Sequence, residues 1–275
     1  MKMRLRARIP KRLDFAPVSA IINPDASPLP RMPDMCNLYA MTRNIDAIAD
    51  LFRVGHNRAA RLEPLPAIFP GWTAPVIRRA GDGERELVPM SWGFVLPQHG
   101  KAPRRVTNTR DDKWDTRFWK PAVLHRRCLV PATAFCEPDD GRAKGDKATW
   151  HWFALRGDEP RPPFAFAGIW QTWKGILKKD AEPVLLDTYS FFTTAPNTAT
   201  AGINHERSPV LLTHPAEHDA WLDGTSQQAM ALVRPIDGDK LTVVQAGPEK
   251  KDVLAETLAT LSGDHQGRTR ASTQG

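Results

Sequence analysis

The chain has 275 residues, of which 41% are hydrophobic and 25% charged, and its formal net charge at pH 7 is +7. This length and composition are typical of a globular protein that buries one large core, and no apolar run is long enough to span a bilayer. The three cysteines, Cys36, Cys128 and Cys136, form no CxxC or Cys/His ligand spacing. We therefore expect a cytoplasmic protein without structural zinc or a disulfide framework. The positive charge is compatible with a nucleic-acid partner, but it is also common on solvated surfaces.

The first 34 residues differ in composition from the rest of the chain. Residues 1–35 contain seven Lys and Arg residues against three Asp residues, with many prolines and no sustained apolar segment. This pattern predicts a disordered or mis-annotated leader over residues 1–34; it lacks the apolar centre of a secretory signal, and an organelle transit peptide is the alternative. We expect one folded domain at residues 35–250 and a C-terminal segment at 251–275 whose polar end is disordered.

Between these tails, the hydrophobic pattern predicts many short strands and few helices. Ile45, Ile48 and Phe52 recur at helical spacing after Asn44, a capping residue. Further helices are predicted at Thr116–Arg126, Ala216–Leu222 and Gln227–Val233. Segments rich in aromatic and β-branched residues predict strands at Ala74–Arg78, Leu87–Trp92, Arg127–Phe135, Trp150–Leu155, Phe164–Trp173, Tyr189–Thr194, Pro209–Leu212 and Leu241–Ala246.

These elements predict a single α+β domain with a curved, mixed, barrel-like β-sheet and a few short helices. The strands and helices do not alternate in a regular βαβ period. The chain also contains no glycine-rich phosphate loop, so we do not expect a nucleotide-hydrolysing enzyme.

The dipeptide Met35-Cys36 looks like a second translation start inside the chain. If translation began at Met35 and that methionine were trimmed, Cys36 would carry a thiol and a free α-amine on one residue. An amine condenses with an aldehyde to an imine, and a neighbouring thiol then closes a five-membered thiazolidine. In isolation, however, such a cysteine is more commonly a packed core residue.

A basic segment precedes Asn108-Thr109-Arg110. The asparagine either closes a turn or orients a reacting group, and Arg110 would then pair with a phosphate through its planar fork of donors. Arg117 extends the basic character of this region. Phe118 and Trp119 lie among these charges, where aromatic rings can stack on bases, but at this spacing we expect them in the core.

Two further residues are candidates for proton transfer. Glu137 follows the apolar run from Cys128 to Cys136, where burial would raise its pKa and suit it to acid or base catalysis. The alternative is a strand end that reaches water. His205 lies in a polar loop between two predicted strands and can exchange protons near neutral pH. His214 and His218 are instead expected at the surface beside helices.

In chain order, these motifs resemble the SRAP family, the SOS-response-associated peptidases or abasic-site processing proteins. The resemblance runs from Met35 to Ala246, and it is carried by Met35-Cys36, Trp92-Gly93-Phe94, Asn108-Thr109-Arg110, the segment from Arg127 through Glu137, and His205-Glu206-Arg207-Ser208-Pro209. The resemblance implies a protein that senses abasic sites in single-stranded DNA and forms a covalent thiazolidine cross-link, which shields the lesion.

The roles of the catalytic residues follow from the same resemblance. The amine and thiol of Cys36 would trap the aldehyde, His205 would help to open the deoxyribose ring, and Glu137 would move protons at the amine and imine. Asn108 would position the forming adduct. The α-amine suits this task because its reference pKa of about 7.7–8.0 leaves a neutral, nucleophilic fraction at cellular pH.

The resemblance also implies a DNA-binding surface. The arginines would hold phosphates beside the lesion, and Trp92 and the Pro70-Gly71 turn would line the channel; the full set is Asn37, Pro70, Trp92, Arg110, Arg117, Thr194 and Arg207. Binding should be salt-sensitive, with little sequence preference. The expected partner is single-stranded DNA that contains abasic sites. We expect no metal, no cofactor, no membrane association, a monomer, and a cytoplasmic, nucleoid-associated location.

The chain departs from the family pattern in three respects. Asn37 and Leu38 stand where many members have glycine and arginine, so one phosphate contact is missing. Pro138 stands where tryptophan is frequent, next to Glu137. In addition, residues 1–35, if retained, would leave Cys36 without a free amine.

Two other functions remain open from the sequence. In the first, Cys36 acts with Glu137 and His205 as a cysteine-type peptidase that cleaves the bond before Cys36 and releases the leader as a propeptide. In the second, the protein is a non-catalytic module that binds single-stranded DNA.

Overall fold

The computed structural model describes residues 38–139, 146–157, 161–178 and 181–252. The leader, Cys36, Asn37 and the predicted C-terminal tail lie outside the described residues. The strands are β1 (Tyr39–Met41), β2 (His56–Asn57), β3 (Leu65–Ile68), β4 (Thr73–Arg79), β5 (Arg85–Trp92), β6 (Phe94–Gln98), β7 (Lys101–Val106), β8 (Asn108–Arg110), β9 (Arg127–Ala132), β10 (Ala134–Pro138), β11 (Trp150–Leu155), β12 (Phe164–Gly175), β13 (Val184–Thr194), β14 (Ser208–Pro209), β15 (Leu211–Leu212) and β16 (Leu241–Gly247). The helices are α1 (Ile45–Leu51), α2 (Lys120–His125), α3 (Thr198–Ala201), α4 (Pro215–Asp223) and α5 (Ser226–Ala231), with a 3-10 turn at Gly238–Lys240.

Five strands close into a barrel in the order β13-β12-β9-β4-β5, with β5 returning to β13. The closing pair is parallel and matches Thr188 with Ser91 and Tyr189 with Trp92, whereas the other neighbours in the ring are antiparallel. Closure lets neighbouring strands satisfy one another's backbone groups around the ring. The structure therefore confirms the predicted α+β domain with a mixed, barrel-like sheet.

Aromatic side chains fill the barrel. Phe166 and Phe191 stack with their ring centroids 4.3 Å apart, and Tyr39 meets the edge of Trp92 at 5.1 Å. All four side chains are completely buried. The hydroxyl oxygens of Tyr39 and Tyr189 are 2.5 Å apart, so each buried phenol has a polar partner.

The second sheet is antiparallel, with the strand order β16-β11-β10-β1-β3. The expected single strand Arg127–Phe135 is wrong, because the chain bends at Thr133 and passes from β9 of the barrel to β10 of this second sheet. The backbone N–H of Thr133 donates to the carbonyl of Ala40 at 2.8 Å, and its hydroxyl is 3.0 Å from that of Thr42. This change of sheet carries Glu137 away from the barrel wall.

The remaining predicted strands agree with the structure, with one correction. The segments at Ala74–Arg78, Leu87–Trp92, Trp150–Leu155, Phe164–Trp173, Tyr189–Thr194 and Leu241–Ala246 lie within β4, β5, β11, β12, β13 and β16. Pro209–Leu212, expected as one strand, is divided between β14, which pairs with β13, and β15, which pairs with β12. Several short strands and α3 were not predicted, since they contain too few residues to establish a period.

The helices lie at the periphery of the sheets. Asn44 caps α1 by accepting from the N–H of Asp46 at 2.8 Å, as expected. Helices α4 and α5 overlap their predicted positions. The predicted helix Thr116–Arg126 is wrong in its first turn: α2 begins at Lys120, with proline in its first turn, after a series of turns. None of the described helices is long and apolar enough to cross a membrane.

Helix α4 is attached to the barrel by two residues that donate to backbone carbonyls. The indole Nε1 of Trp221 lies 2.9 Å from both Cys128 O and Gly168 O. Arg127 donates to Trp221 O and Gly224 O at 2.5 Å, and these carbonyls lie at the C-terminal end of the helix. Trp221 is completely buried, so both of its bonds are shielded from water.

His218 corrects an expectation from the sequence. We expected a surface position, but His218 is 6% exposed, its ring centroid is 4.9 Å from that of Phe52, and its Nε2 is 3.2 Å from Leu212 O. Burial lowers the pKa of its imidazole. His214 is exposed, as expected, and caps α4. Trp119 is buried in the core, also as expected.

Gly168 provides a test of the barrel packing. A Cβ at this position would lie 2.8 Å from both Cys128 Sγ and Val130 Cγ2, and 3.0 Å from Cys128 O. Because these neighbours are buried, we expect Gly168→Ala to lower the free energy of unfolding by about 1–3 kcal/mol, measured by urea denaturation. Gly81→Ala is the matched control, since a Cβ there would meet nothing within 4 Å. Equal urea midpoints for the two variants would contradict the close packing of β12 against β9.

Candidate active site

The structure brings together two of the predicted catalytic residues, Glu137 and His205. Oε2 of Glu137 and Nε2 of His205 are 3.1 Å apart. The side chain of Glu137 is completely buried, and that of His205 is 1% exposed. The alternative in which Glu137 reaches water at a strand end is therefore wrong. A buried carboxylate beside an imidazole is a pair of groups that can exchange a proton without bulk water.

Glu137 is held in the middle of the second sheet. It lies on β10, where it is matched with His151 of β11 on one side. On the other side, β1 approaches, and the N–H of Cys136 donates to Leu38 O at 2.9 Å. The residue before Glu137 is thus bonded to the first described residue of the chain.

His205 is positioned by a short, strongly hydrogen-bonded segment after β13. Asn197 caps α3 by accepting from the N–H groups of Ala199 and Thr200 at 3.0 Å, and its Nδ2 donates to Ser208 Oγ at 2.9 Å. The N–H of His205 donates to Thr200 O at 3.2 Å. Directly before His205, Asn204 has φ of 56°, a left-handed conformation that asparagine tolerates better than most residues.

Asn108 lies on β8, which pairs in parallel with β13 and matches Phe191 with Asn108 and Thr193 with Arg110. Asn108 is 2% exposed. The same strand β13 leads to Thr194 and then to α3 and His205. The pairings of β8 with β13 and of β13 with β14 therefore place residues of these three strands together at one end of β13.

Thr194 and Arg207 meet at an acidic residue that the sequence analysis missed, Asp111. Arg207 Nη2 donates to Asp111 Oδ1 at 2.6 Å, and Thr194 Oγ1 donates to Asp111 Oδ2 at 2.9 Å. The signal for Asp111 in the sequence was its place directly after Asn108-Thr109-Arg110. Its partner could not be identified there, because Arg207 lies far along the chain.

Arg110 forms a bidentate pair with Asp112. Its Nε and Nη2 donate to the two carboxylate oxygens at 2.8 and 3.0 Å. The hydrogen bond from Arg110 lowers the pKa of Asp112 to about 2, so this acid is ionised at any physiological pH. Arg117 is exposed in the turns between β8 and α2.

Trp92 does not occupy the position that we expected. Its side chain is completely buried in the barrel, and its Nε1 donates to Thr107 O at 3.1 Å, so the indole supports the site from inside and does not line a DNA channel. Its backbone holds the neighbouring turn: Gly71 N donates to Trp92 O at 2.8 Å, and Trp92 N donates to Trp72 O at 2.9 Å. Pro70 is partly exposed in this turn. Trp72, which follows Gly71 and was not singled out in the sequence, is 41% exposed.

The two described cysteines, Cys128 and Cys136, are unsuited to nucleophilic chemistry. Burial raises the pKa of both thiols, so both are protonated at neutral pH. Within the four described ranges, no group of three or more His, Cys, Asp or Glu residues could hold a metal ion. Cys36 lies outside the described residues, so its role stays a prediction.

Asn204 provides a test of how His205 is positioned. Because a β-branched residue disfavours the left-handed conformation, we expect Asn204→Val to lower the free energy of unfolding by about 1–2 kcal/mol. Asn204→Gly should change it little, since glycine adopts positive φ readily. Urea denaturation of the two variants measures the difference. If Asn204→Val were as stable as Asn204→Gly, the left-handed turn before His205 would be wrong.

Three crystal structures share the fold of this chain. The chain is 21% identical to a protein from Bordetella bronchiseptica solved by X-ray crystallography, with a TM-score of 0.58 over 77% of this chain and 98% of that one. A crystal structure from Bacteroides thetaiotaomicron gives 21% identity and a TM-score of 0.58 over 76% and 92%. A phage-related protein from B. bronchiseptica gives 21% identity and a TM-score of 0.54 over 76% and 95%. At these identities the likeness establishes the fold alone. No curated protein matches the chain.

A sequence model of a protein family also matches this chain. The model described as SOS response associated peptidase (SRAP) matches residues 35–251, which is most of the chain. The matched range contains Asn108, Glu137 and His205, and the match confirms the family resemblance seen in the sequence. The protein therefore belongs to the SOS response associated peptidase (SRAP) family.

Proposed function

We propose that this protein captures abasic sites in single-stranded DNA by forming a thiazolidine with the α-amine and thiol of Cys36. The observation that carries the proposal is the buried pair of Glu137 and His205, with 3.1 Å between the imidazole nitrogen and the carboxylate oxygen. Each step of aldehyde capture requires a proton to be moved, and such a pair supplies a donor and an acceptor away from bulk water.

The proposed reaction has three steps. His205 transfers protons as the closed deoxyribose opens to its aldehyde. The neutral amine of Cys36 then attacks the aldehyde carbon, a C–N bond forms, and one water molecule leaves to give the imine, with Glu137 moving the protons. Finally, the thiol sulfur adds to the imine carbon, and the thiol proton passes to the nitrogen. No oxidant, reductant or metal is consumed.

Chain connectivity supports a short distance between Cys36 and this pair. Cys36 precedes Leu38 by two residues, and two residues of extended chain span at most about 7 Å. The carbonyl of Leu38 accepts from the N–H of Cys136, which is covalently bonded to Glu137. This connectivity allows Cys36 to reach the proposed acid-base pair, as the proposed reaction requires.

The remaining predicted residues fit a role in holding the strand. The buried amide of Asn108 would orient the adduct, and Arg110, Arg117 and Arg207 would contact phosphates. Pro70 and Thr194 would lie along the strand, as would Asn37. In this proposal Trp92 acts indirectly, by fixing the turn that contains Pro70. Association with the nucleoid would follow from binding to DNA.

The family name motivates a second candidate, a cysteine-type peptidase. Glu137 and His205 would equally serve a thiol that attacks the Met35-Cys36 peptide bond, with a water molecule consumed on release of the leader. This reaction would also free the amine of Cys36. The two activities can therefore act in sequence, since the proposed cross-link requires Cys36 at the amino terminus.

The cross-link is tested with protein whose first residue is Cys36. We expect it to form an adduct with single-stranded DNA bearing one abasic site that survives denaturing electrophoresis, with an intact mass equal to protein plus DNA minus one water. Cys36→Ala should abolish the adduct, whereas Cys136→Ala, which alters a buried thiol, should retain it. If the wild type forms no adduct, the proposal fails. In a separate experiment with the full 275-residue chain, the peptidase activity is supported if Cys36→Ala keeps the leader that the wild type loses.

The separate roles of His205 and Glu137 are tested with two aldehydes. We expect His205→Gln to slow the cross-linking of a closed abasic site by about 100-fold or more, as for loss of a general acid or base. It should have little effect on an acyclic aldehyde in the same DNA, because that substrate has no ring to open. Glu137→Gln should slow both reactions. Quenched-flow rates, with circular dichroism to verify folding, measure the difference; equal effects of His205→Gln on both aldehydes would contradict the ring-opening role.

A further inference from the structure

Two of the three arginines expected to bind phosphate, Arg110 and Arg207, are paired with carboxylates of the same chain, and the partner of Arg207 is Asp111. We propose that Asp111 determines specificity: it fixes the guanidinium of Arg207 and competes with DNA phosphates for it, so that undamaged single-stranded DNA binds weakly. The inference rests on the proposed function and concerns the noncovalent step before cross-linking.

Three hydrogen bonds fix Asp111 against β13 and the segment after it. Its backbone N–H donates to Thr193 O at 3.0 Å. One carboxylate oxygen accepts from Thr194 Oγ1 at 2.9 Å, and the other accepts from Arg207 Nη2 at 2.6 Å. The carboxylate is thus held in one orientation, although 32% of its side chain is exposed to solvent.

Arg207 is held equally firmly. Its Nη2 donates to Thr193 O at 2.5 Å as well as to Asp111, and its Nε donates to Thr193 Oγ1 at 3.3 Å. The side chain is 13% exposed. A guanidinium can bind a phosphate in bidentate fashion through Nε and Nη2 or through Nη1 and Nη2. Each of these two pairs includes Nη2, which already donates to Asp111. A phosphate that binds Arg207 in bidentate fashion must therefore displace Asp111 or lie directly beside its negative charge.

The neighbouring charges strengthen this competition. Asp112 pairs with Arg110 through both carboxylate oxygens, and this hydrogen bonding, followed by the charges of Asp112, Asp111 and Glu206, raises the pKa of the Arg110 guanidinium. Lys113 also acts on Asp112, so the cations Arg110, Arg207 and Lys113 are balanced by the carboxylates Asp111, Asp112 and Glu206. This part of the surface therefore carries little net attraction for a polyanion. Neutralising one carboxylate should change its affinity for DNA directly.

In this proposal, noncovalent binding is weak for all single-stranded DNA, and the covalent reaction selects the abasic strand. Intact DNA offers no aldehyde, its phosphates must compete with Asp111 for Arg207, and it should dissociate readily. An abasic strand offers an aldehyde as well, and covalent capture retains it even when the encounter is weak. Asp111 would thereby reduce unproductive occupancy of the site by the large excess of undamaged DNA.

The inference is tested by binding of undamaged, fluorescein-labelled oligothymidine, followed by anisotropy over a range of KCl concentrations. Asp111→Asn keeps the shape and the acceptor for Thr194 but removes the charge. Asp115→Asn is the matched control, because it removes the same charge from an exposed residue that lies outside the network. We expect Asp111→Asn to bind about three- to tenfold more tightly than the control. The slope of its salt dependence should be steeper by about 0.7 for each additional phosphate that the protein neutralises.

Affinity equal to that of the control, or weaker than that of the wild type, would overturn the inference. Asp111→Ser replaces Asp111→Asn if circular dichroism shows that the latter is unfolded, and the same two outcomes apply. A purely structural role for Asp111 predicts weaker binding, so the sign of the change separates the two roles.

A second readout keeps this inference separate from the proposed function. In NMR spectra of the arginine Nε–H groups, the signal of Arg207 should respond to added inorganic triphosphate at a lower concentration in Asp111→Asn than in Asp115→Asn. This comparison uses no abasic DNA. A response at the same concentration in both variants overturns the role of Asp111, whereas absence of cross-linking to abasic DNA overturns the proposed function alone.

Discussion

A parallel contact between β5 and β13 closes the barrel, and the positions of the candidate residues depend on this closure. At the contact, Trp92 is matched with Tyr189, and their rings stack inside the barrel with centroids 6.4 Å apart. A parallel pair cannot be joined by a tight turn, so the chain between β5 and β13 must pass around the core. Once β13 is fixed, its far end pairs with β8 and β14. The core thus determines where the polar end of β13 lies.

Beyond this end of β13, hydrogen bonds and charges determine the arrangement of the polar side chains. Glu137 and His205 are withdrawn from water, and a buried ionisable pair is stable only when its partners are held in good geometry; removing one partner of such a pair typically costs about 3–5 kcal/mol. The hydrogen bonds of Asn197 and Thr200 provide this support for His205, and strands β1 and β11 provide it for Glu137. The rigidity of the site is therefore distributed over its backbone supports.

Two arginines near this pair of residues, Arg110 and Arg207, are each hydrogen-bonded to a carboxylate. Arg207 is fixed between Asp111 and Thr193, and Arg110 is fixed by Asp112. Holding a cation in place lowers the entropy that is lost on binding a phosphate, but it also supplies a competitor for that phosphate. A site that retains its substrate covalently can accept weak initial binding, which is why this arrangement is compatible with the proposed capture of abasic DNA.

The sequence by itself determined the class of fold, most of the longer strands, the family, and which residues carry reactive groups. These properties follow from local composition and spacing: the aromatic-rich composition of β12 or the cap of α1 acts over a few residues. It failed at Thr133, where the chain changes sheets, at His218, and at Trp92, because burial depends on neighbours that come from distant segments. Only the tertiary structure decided that Glu137 meets His205 and that Arg207 meets Asp111. Those contacts arise from the pairing of β8, β13 and β14 and from the crossing of β9 into β10, which no local pattern records.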